Sequence, residues 1–326
     1  MNKLVEISLG VLSGATLFYL VFMNVIRIDT KMENIFHSEN KNATPNVEIP
    51  HQFQYLTNAL EKAKRRQREA LKFLKLPTMN NFNITYKVSV HSKCEQLNPK
   101  VVIVVLSARQ NFFKRLDIRD GAIGRFCKIN RNATLLFFVG TPGQNENVPS
   151  ISKRIDYEVK LFNDLIVVDF EDNYTNILQK HLAMMKWIIE FCSKSEFVLR
   201  LDDDVTLHNG IEKATKAFER HRKKRENFIL GTQRVGDVPS RDKGQPHWLL
   251  TKEQYPADQF PAYVLGGALG YPVSTIKLLY QAAQRVKTVW LDDVFISGIC
   301  ASALGIPTIN DIDFKFHHSH SPIVIF

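Results

Sequence analysis

The sequence of 326 residues has few cysteines and lacks the short motifs of several common protein classes. Only four cysteines occur and none forms a CxxC pair, which argues against a zinc ribbon. There is no GxxxxGK(S/T), which excludes a P-loop nucleotide site. No GxGxxG follows the first apolar run, which excludes the dinucleotide-binding fingerprint. Any nucleotide site in this chain must therefore be built in another way.

The composition is that of a globular protein with a basic surface. Hydrophobic residues make up 44% and charged residues 23%, so the chain is not intrinsically disordered. The net charge of +10 favours anionic partners such as a nucleotide, an acidic lipid, an acidic glycan or nucleic acid. Lysine and arginine are concentrated in residues 61–75 and 220–225. We interpret both runs as solvated helix faces and expect no nucleic-acid partner, because no binding motif accompanies them.

The N-terminal region predicts a membrane anchor. Residues 7–26 contain no charge, and about 20 apolar residues are enough to cross a bilayer. A cleaved signal peptide is the alternative, but the run is long and no Ala-x-Ala cleavage site follows it. We predict a cytoplasmic tail at residues 1–6 and an uncleaved signal anchor at 7–26.

Glycosylation sequons predict the orientation, since the positive charges flanking the anchor are nearly balanced. Asn-x-Ser/Thr triplets follow the anchor at Asn42, Asn83, Asn132 and Asn173. We give less weight to Asn42 because Pro45 follows its triplet, and expect glycans at Asn83, Asn132 and Asn173. The body of the chain would then be luminal, in a single-pass type II protein.

Residues 27–98 are predicted to form a stem. They have mixed polarity and little strand character, and residues 55–76 have helical spacing with many basic positions. We interpret this helix as a spacer. Self-association into a homodimer and contact with an acidic membrane are the alternatives.

Residues 99–326 are predicted to form an α/β catalytic domain. Short apolar runs, typical of strands buried on both faces, alternate with helical patterns, which favours a mostly parallel sheet. The predicted strands are VVIVVLSA (101–108), LLFFVG (135–140), LIVVDF (165–170) and FVLRL (197–201), and the predicted helices follow the third and the fourth of them.

Three consecutive aspartates follow the fourth predicted strand. Ligands bind at the carboxyl ends of strands in such sheets, so Asp202, Asp203 and Asp204 are candidates for a functional site. Alternate side chains of an extended strand share a face, so Asp202 and Asp204 could bind Mn²⁺ or Mg²⁺ together with a diphosphate. A solvated turn is the alternative. A second D-x-D, at Asp311 and Asp313, follows no strong strand and is interpreted as structural.

Several blocks, in order over residues 100–310, resemble the β1,3-glycosyltransferase family. This family includes β1,3-galactosyltransferases, β1,3-N-acetylglucosaminyltransferases and, more remotely, Fringe. The blocks are RLDIRDGAIG (115–124), NDLIVVDFEDNYTNILQKHLAMMKWIIEFC (163–192), FVLRLDDDV (197–205), FPAYVLGGALGYPVS (260–274) and WLDDVFISGIC (290–300).

The resemblance implies a GT-A Rossmann-like fold and inverting transfer of Gal, GlcNAc or GalNAc from a UDP-sugar to a glycan on protein or lipid, with Mn²⁺ and a Golgi location. It implies that Asp293 is the catalytic base, although Asp292 and Asp293 could also be a helix cap. Asp202 and Asp204 become the metal ligands, and His318 a possible third.

Further roles follow from the same resemblance. The predicted donor-binding residues are Arg115, Arg119, Asp203, Gly266 and Gly267, and the predicted acceptor-binding residues are Trp248 and Tyr263. Cys192 and Cys300 match family positions, which suggests a disulfide between them and leaves Cys94 with Cys127.

Departures from the family pattern leave other functions open. The first block lacks a tryptophan, Arg200 stands where lysine is usual, and Asp292 replaces glutamate. An inactive relative that binds a glycan or a partner transferase is one alternative. A metal-dependent phosphohydrolase is another, but it would need further His/Asp clusters at strand ends.

Overall fold

The structure is a computed structural model that describes residues 51–143, 149–242 and 248–318. The predicted anchor at residues 7–26 lies outside them. Among the described helices, none has both the length and the apolar character needed to span a membrane. The chain divides into two compact units, Met1–Asn58 and Ala59–Phe326, and the architecture below is that of the second.

Ten strands and nine α-helices are described in these ranges. The strands are β1 Tyr86–Val88, β2 Val101–Leu106, β3 Ala133–Thr141, β4 Leu165–Glu171, β5 Phe197–Asp202, β6 Val205–Leu207, β7 Ile229–Arg234, β8 Tyr263–Pro272, β9 Thr308–Asn310 and β10 Phe316–His318. The helices are α1 His51–Leu74, α2 Ser92–Leu97, α3 Phe112–Asp120, α4 Ala122–Ile129, α5 Pro149–Phe162, α6 Ile177–Phe191, α7 Ile211–Arg222, α8 Val273–Ala283 and α9 Ala301–Leu304. A π-helix spans Val294–Cys300, and short 3₁₀ turns span Tyr174–Asn176 and Ile312–Phe314.

The central sheet has eight strands in the order β1-β4-β3-β2-β5-β8-β7-β9. The pairs that join β4, β3, β2 and β5 are parallel, whereas β8 is antiparallel to both β5 and β7, and β1 is antiparallel to β4. The α/β class is therefore confirmed, and the four strands predicted from apolar runs are present. The sheet is mixed, however, because the long strand β8 reverses direction beside β5.

Two apolar clusters cover the two faces of the sheet. Val102 and Val104 of β2 face one cluster, which includes Trp187 of α6, and Ile103 of the same strand faces the other, which includes Phe218 of α7. Alternate residues of a strand point to opposite faces, so an unbroken apolar run is what a strand covered on both sides requires.

The folded domain begins before residue 99, where the stem was predicted to end. The backbone N–H of Asp169 donates to the carbonyl of Thr85 at 2.9 Å, and β1 pairs with β4. The predicted stem boundary is therefore too late. A strand of three residues is too short to produce a recognisable pattern in the sequence.

The disulfide joins Cys94 of α2 to Cys192, which follows α6, with their Cα atoms 5.2 Å apart. The predicted Cys192–Cys300 pair is wrong, and so is the Cys94–Cys127 pair. Cys300 lies in the π-helix, fully buried in the same apolar cluster as Trp187, and has a free thiol. The bond ties the N-terminal edge of the domain to the helix that covers the centre of the sheet.

Removing this disulfide is expected to destabilise the domain. Cys94→Ser with Cys192→Ser should lower the free energy of unfolding by about 2–4 kcal/mol, because the bond closes a long loop in the unfolded chain. Denaturant unfolding measures the change, and Cys127→Ser is the control at a free cysteine. Non-reducing peptide mapping that found Cys192 joined to Cys300 would contradict the assignment.

Candidate functional site

A cleft of about 1250 Å³ opens where the parallel strands β2 and β5 end. Leu106, the last residue of β2, is in register with Asp202, the last residue of β5, so the segments that follow them leave the sheet side by side. The carboxyl ends of parallel strands are the expected ligand edge of such a sheet. The lining includes all three consecutive aspartates, together with Ser107, Arg200, Trp248, Gly266, Gly267, Asp292, Asp293 and His318.

The three aspartates bind three different partners. The carboxylate of Asp203 accepts hydrogen bonds from Ser107 Oγ at 2.6 Å and from Asn111 Nδ2 at 2.8 Å. Lys114 Nζ lies 3.3 Å from its other oxygen. The carboxylate predicted to contact the donor is thus engaged by the protein, and it fixes the turn after β5 to the loop before α3.

Asp202 pairs with a buried arginine. Its Oδ1 lies 2.9 Å from Nη1 of Arg200, and Nη2 of the same guanidinium donates to Asp292 Oδ2 at 3.2 Å. Arg200 is almost fully buried. Two carboxylates from distant parts of the chain therefore share one cation beneath the floor of the cleft.

A neutral histidine continues this buried chain. His181 Nδ1 lies 2.8 Å from Asp292 Oδ2, and its Nε2 lies 2.7 Å from the hydroxyl of Tyr271. Burial lowers the pKa of His181, so the neutral ring donates from Nδ1 to the carboxylate and accepts from Tyr271. Burial opposes ionisation of Asp292, but Arg200 and His181 outweigh it and hold the pKa of Asp292 below its ordinary value.

Asp293 both caps the π-helix and faces the cleft. Its Oδ1 accepts from the backbone N–H of Val294 at 2.7 Å, and its Oδ2 accepts from that of Gly266 at 3.1 Å. Burial and the adjacent carboxylate of Asp292 raise the pKa of Asp293 to about 7. The capping role considered as an alternative is present, and it leaves a carboxylate with a perturbed pKa at the cleft surface.

Asp204 lies beside His318 at the edge of the cleft. Strands β6 and β10 pair Val205 with His318, which brings His318 Nδ1 to 3.4 Å from Asp204 Oδ1. Within the described ranges, no group of three or more His, Cys, Asp or Glu side chains forms a metal site by itself. The carboxylate suits Mn²⁺ or Mg²⁺, with water and a diphosphate supplying further ligands, and an imidazole ligand fits Mn²⁺ better than the harder Mg²⁺.

The two glycines of β8 have different surroundings. A Cβ on Gly266 would meet Asp293 and Arg200 only at 3.7 Å, whereas a Cβ on Gly267 would lie 2.3 Å from the ring of Phe316. Gly267 therefore allows β10, and with it His318, to approach β8. Its role in the cleft is close packing, and Gly266 contributes its backbone N–H to Asp293.

The predicted acceptor residues Trp248 and Tyr263 both line the cleft, and Trp248 belongs to an aromatic wall with Tyr174 and Trp290. Trp248 is 53% exposed, and the Tyr174 ring lies 6.5 Å from it and 6.1 Å from the ring of Trp290. Tyr263 is buried, and its hydroxyl donates to Asp237 at 2.9 Å. This wall thus offers aromatic surface, with the rings of Trp248 and Tyr174 exposed to a similar extent.

Arg115 and Arg119 do not reach the cleft, so their predicted contact with the donor is wrong. Both are buried and bind the buried carboxylate of Glu158, at 2.6 Å from Arg115 Nη2 and 2.8 Å from Arg119 Nη1. Arg119 also bonds Asp164 through two nitrogens. Arg115 influences the cleft indirectly, because its Nη1 donates at 2.9 Å to the Ser107 hydroxyl that bonds Asp203.

The predicted glycosylation residues are all exposed. Asn83 lines a second, smaller cavity, and Asn132 precedes β3. Asn173 lies in the wall of the main cleft, and its Oδ1 caps the following 3₁₀ turn by accepting from the N–H of Asn176 at 3.0 Å. A glycan at Asn173 would stand at the mouth of the cleft.

The main residues missed from the sequence are the supporting ones. Lys180 pairs with Asp172 at 2.6 Å at the cleft wall, and His181 orients Asp292. Both lie on α6, whose helical spacing predicted buried positions but no polar contacts. One feature of the sequence could have indicated such contacts: Arg200 and Asp292 both differ from the residues usual in the family, and the fold brings the two into contact.

The part of the sequence that contributes most of the cleft residues matches a known protein family. Residues 120–312 match the model of the galactosyltransferase family. The chain is 27% identical to human beta-1,3-galactosyltransferase 1 over 242 residues, which cover 73% of this chain and 70% of that protein. It is 28% identical over 227 residues to mouse lactosylceramide 1,3-N-acetyl-beta-D-glucosaminyltransferase, covering 68% of this chain and 59% of that protein.

Two solved structures are similar to the chain at low identity. The WbbM bifunctional glycosyltransferase matches with a TM-score of 0.37 and 11% identity over 64% of this chain and 38% of its own. The mannosyltransferase Ktr4p from S. cerevisiae matches with a TM-score of 0.33 and 12% identity over 88% of this chain and 85% of its own. Both scores are low, so the relationship rests on the sequence matches.

Loss of Arg119 is expected to affect stability and not nucleotide binding. Arg119→Met leaves Asp164 and part of Glu158 buried without their cation, so the free energy of unfolding should fall by about 3–5 kcal/mol. Affinity for UDP should be unchanged while the protein is folded. Lys128→Met is the control, because it breaks an exposed ion pair with Asp120 that contributes at most about 1 kcal/mol. Lost UDP affinity at unchanged stability would restore the donor-binding role.

Proposed function

The chain belongs to the galactosyltransferase family and is a glycosyltransferase, and from this we propose that it transfers a hexose from a UDP-sugar to a hydroxyl of a glycan acceptor. The names of the relatives support a β1,3 linkage, with galactose or N-acetylglucosamine as the first donors to test. The observation that carries the proposal is the position of Asp293, a carboxylate with a pKa of about 7 in the same cleft as the three aspartates.

The charged end of the cleft is proposed to bind the nucleotide diphosphate. Asp204 and His318 would hold Mn²⁺ or Mg²⁺, with Asp202 contributing its second carboxylate oxygen, and the diphosphate would complete the shell. Such a cation neutralises charge that develops on a departing diphosphate. Asp203 keeps the three-aspartate turn in place through Ser107 and Asn111.

Asp293 is proposed to be the general base. The acceptor oxygen forms a bond to the anomeric carbon of the donor, its proton passes to a carboxylate oxygen of Asp293, and the bond to UDP breaks. A single displacement of this kind inverts the anomeric configuration. A pKa near the working pH suits the role, since the base is largely ionised yet basic enough to accept the proton.

The aromatic wall is proposed to bind the acceptor. Trp248 and Tyr174 present ring surface on which the apolar face of a sugar can pack. Tyr263 also lines the cleft, but it is buried and its hydroxyl is bonded to Asp237, so it offers less ring surface than Trp248.

A Golgi membrane location, with the catalytic domain luminal, remains part of the proposal. It is supported by the apolar residues 7–26 and by the exposed sequon residues Asn83, Asn132 and Asn173. A disulfide at Cys94 and Cys192 is compatible with an oxidising compartment.

The geometry favours an active enzyme over an inactive relative. Of the three departures from the family pattern, two, Arg200 and Asp292, contact each other, with Arg200 Nη2 3.2 Å from Asp292 Oδ2. Arginine is longer than the usual lysine and aspartate is shorter than the usual glutamate. The two changes together therefore still form an ion pair.

The first test separates metal and donor binding from proton transfer. The full chain in detergent is incubated with Mn²⁺, one of UDP-Gal, UDP-GlcNAc or UDP-GalNAc, and simple sugar acceptors, and UDP release is measured. Asp204→Asn should lose both metal-dependent UDP binding and transfer. Asp293→Asn should keep UDP binding and lose about 10²–10⁴-fold in rate, the usual contribution of a general base.

Asp120→Asn is the matched control for both variants, because Asp120 is exposed at the end of α3. An unchanged transfer rate in Asp293→Asn would show that Asp293 is not the general base. Absence of UDP binding in the unmodified chain would exclude the transferase function.

The pH dependence of transfer should reflect Asp293. The base acts only when ionised, so kcat/KM at saturating Mn²⁺ should rise about tenfold per pH unit below pH 7 and level off above it. Asp292→Asn removes a charge that raises the pKa of Asp293, so the rising limb should move to lower pH. If the rise of kcat/KM with pH is at the same position in Asp292→Asn, a group other than Asp293 controls the pH dependence.

A further inference from the structure

A second cavity of about 500 Å³ lies beside the cleft and differs from it in charge. We call it the neutral pocket. Its lining comes from residues 81–84, the end of β4, the start of α6 with the preceding Thr175, Leu250 with Gln254, and residues 288–290. Among the described residues that line it, only Asp169 is charged, and Lys87 pairs with that carboxylate at 2.8 Å. The pocket therefore suits an uncharged ligand, unlike the cleft with its many aspartates.

Several polar side chains of the neutral pocket have no hydrogen-bond partner among the residues that the structure describes. The side chains of Asn81, Asn83, Gln179 and Thr288 make no hydrogen bond to any residue that the structure describes. Gln254 Oε1 accepts one bond, from the N–H of Thr251 at 2.9 Å, and its amide nitrogen makes none to a described residue. Carboxamides and hydroxyls both donate and accept, so these groups match the hydroxyls of a sugar.

The floor of the neutral pocket is apolar. Leu178 and Leu182 are buried beneath it, and Phe82, Phe170 and Trp290 contribute aromatic surface. An apolar floor with a few polar groups at the rim, and a volume between roughly 300 and 1,000 Å³, is typical of small-molecule sites.

The outer wall is fixed in place before any ligand arrives. Asn80 Nδ2 donates to the carbonyls of Ala283 at 2.8 Å and Val286 at 2.6 Å, at one end of residues 81–84. At the other end, Lys186 Nζ donates to the carbonyl of Ile84 at 2.9 Å. A wall held at both ends costs little to order on binding.

The neutral pocket and the cleft are neighbours. Trp290 lines both cavities and precedes Asp293 by three residues. Two adjacent residues at the start of α6 line different cavities: Ile177 lines the cleft and Leu178 lines the neutral pocket. A chain of linked sugars that passes the aromatic wall would therefore meet the pocket next.

We propose that the neutral pocket binds the second sugar of an acceptor glycan whose terminal sugar lies in the cleft at Asp293. The inference rests on the proposed function, and it assigns the enzyme a preference for acceptors of at least two neutral sugars. Gln179, Asn81 and Thr288 supply hydrogen bonds, and Trp290 separates the two sugar positions.

The test compares one-sugar with two-sugar ligands. Binding of methyl β-lactoside and methyl β-chitobioside to the full chain with UDP and Mn²⁺ is measured by titration and saturation-transfer NMR, against methyl β-galactoside and methyl β-N-acetylglucosaminide. At least one disaccharide should bind about tenfold more tightly than its one-sugar counterpart. Gln179→Trp and Thr288→Trp, at two separate segments of the lining, should each remove that gain and leave one-sugar and UDP binding unchanged.

Gln281→Trp is the matched control, because Gln281 is an exposed residue of α8 outside the linings of both cavities. Equal affinity for one and two sugars in the unmodified chain would overturn the proposal, as would a gain that survives in both tryptophan variants. Thr85→Val removes the sequon at Asn83. Disaccharide binding to this variant but not to the unmodified chain would also overturn the proposal, because the glycan on Asn83 would then occupy the neutral pocket.

The two proposals fail in different ways. Disaccharide binding that depends on Gln179, without UDP release from any UDP-sugar, would refute the transferase function and retain the neutral pocket. Transfer whose KM is the same for one and two sugars, and is unchanged in both tryptophan variants, would refute the pocket alone.

Discussion

Three adjacent carboxylates at the end of a central strand are the constraint on which the rest of this site depends. Like charges so close together repel each other unless each is compensated. The fold gives each carboxylate a partner from a separate element: the guanidinium of Arg200 for Asp202, the Ser107–Lys114 region for Asp203, and the imidazole of His318 for Asp204. His318 lies on β10, far along the chain from the aspartates. The geometry of the cleft therefore depends on which side chain each carboxylate contacts.

The same compensation couples the two ends of the proposed reaction. Arg200 contacts both Asp202, in the aspartate turn, and Asp292, next to the proposed base. His181, which is itself hydrogen-bonded to Tyr271, contacts Asp292. Arg200 and His181 together hold the pKa of Asp292 below its ordinary value, and the charge of Asp292 raises the pKa of Asp293. A buried network of this kind is sensitive to the loss of any member, because each group that remains would be an unpaired polar atom away from water. The diphosphate end and the acceptor end are thus positioned by one set of contacts.

The parts of the fold that follow from local pattern were predictable, and those that depend on distant contacts were not. The apolar runs of β2 to β5 and the acidic residues after β5 identified both the sheet and its ligand edge. The disulfide partner of Cys192 could not be predicted, since pairing depends on which helix end lies nearby in three dimensions. Arg115 was misassigned for a related reason: a buried arginine is recognised only once Glu158 of α5 is placed against it. The neutral pocket has no sequence signature, because its walls come from five separate segments.

The most direct test of the account is the position of the metal and of UDP in a crystal grown with Mn²⁺ and UDP, located by anomalous diffraction from manganese. The account predicts one Mn²⁺ bound by Asp204 and His318 and by the diphosphate, with the pyrophosphate end of UDP directed toward the part of the cleft that contains Asp293. Manganese at another place, or UDP bound with its diphosphate away from the three aspartates, would contradict it.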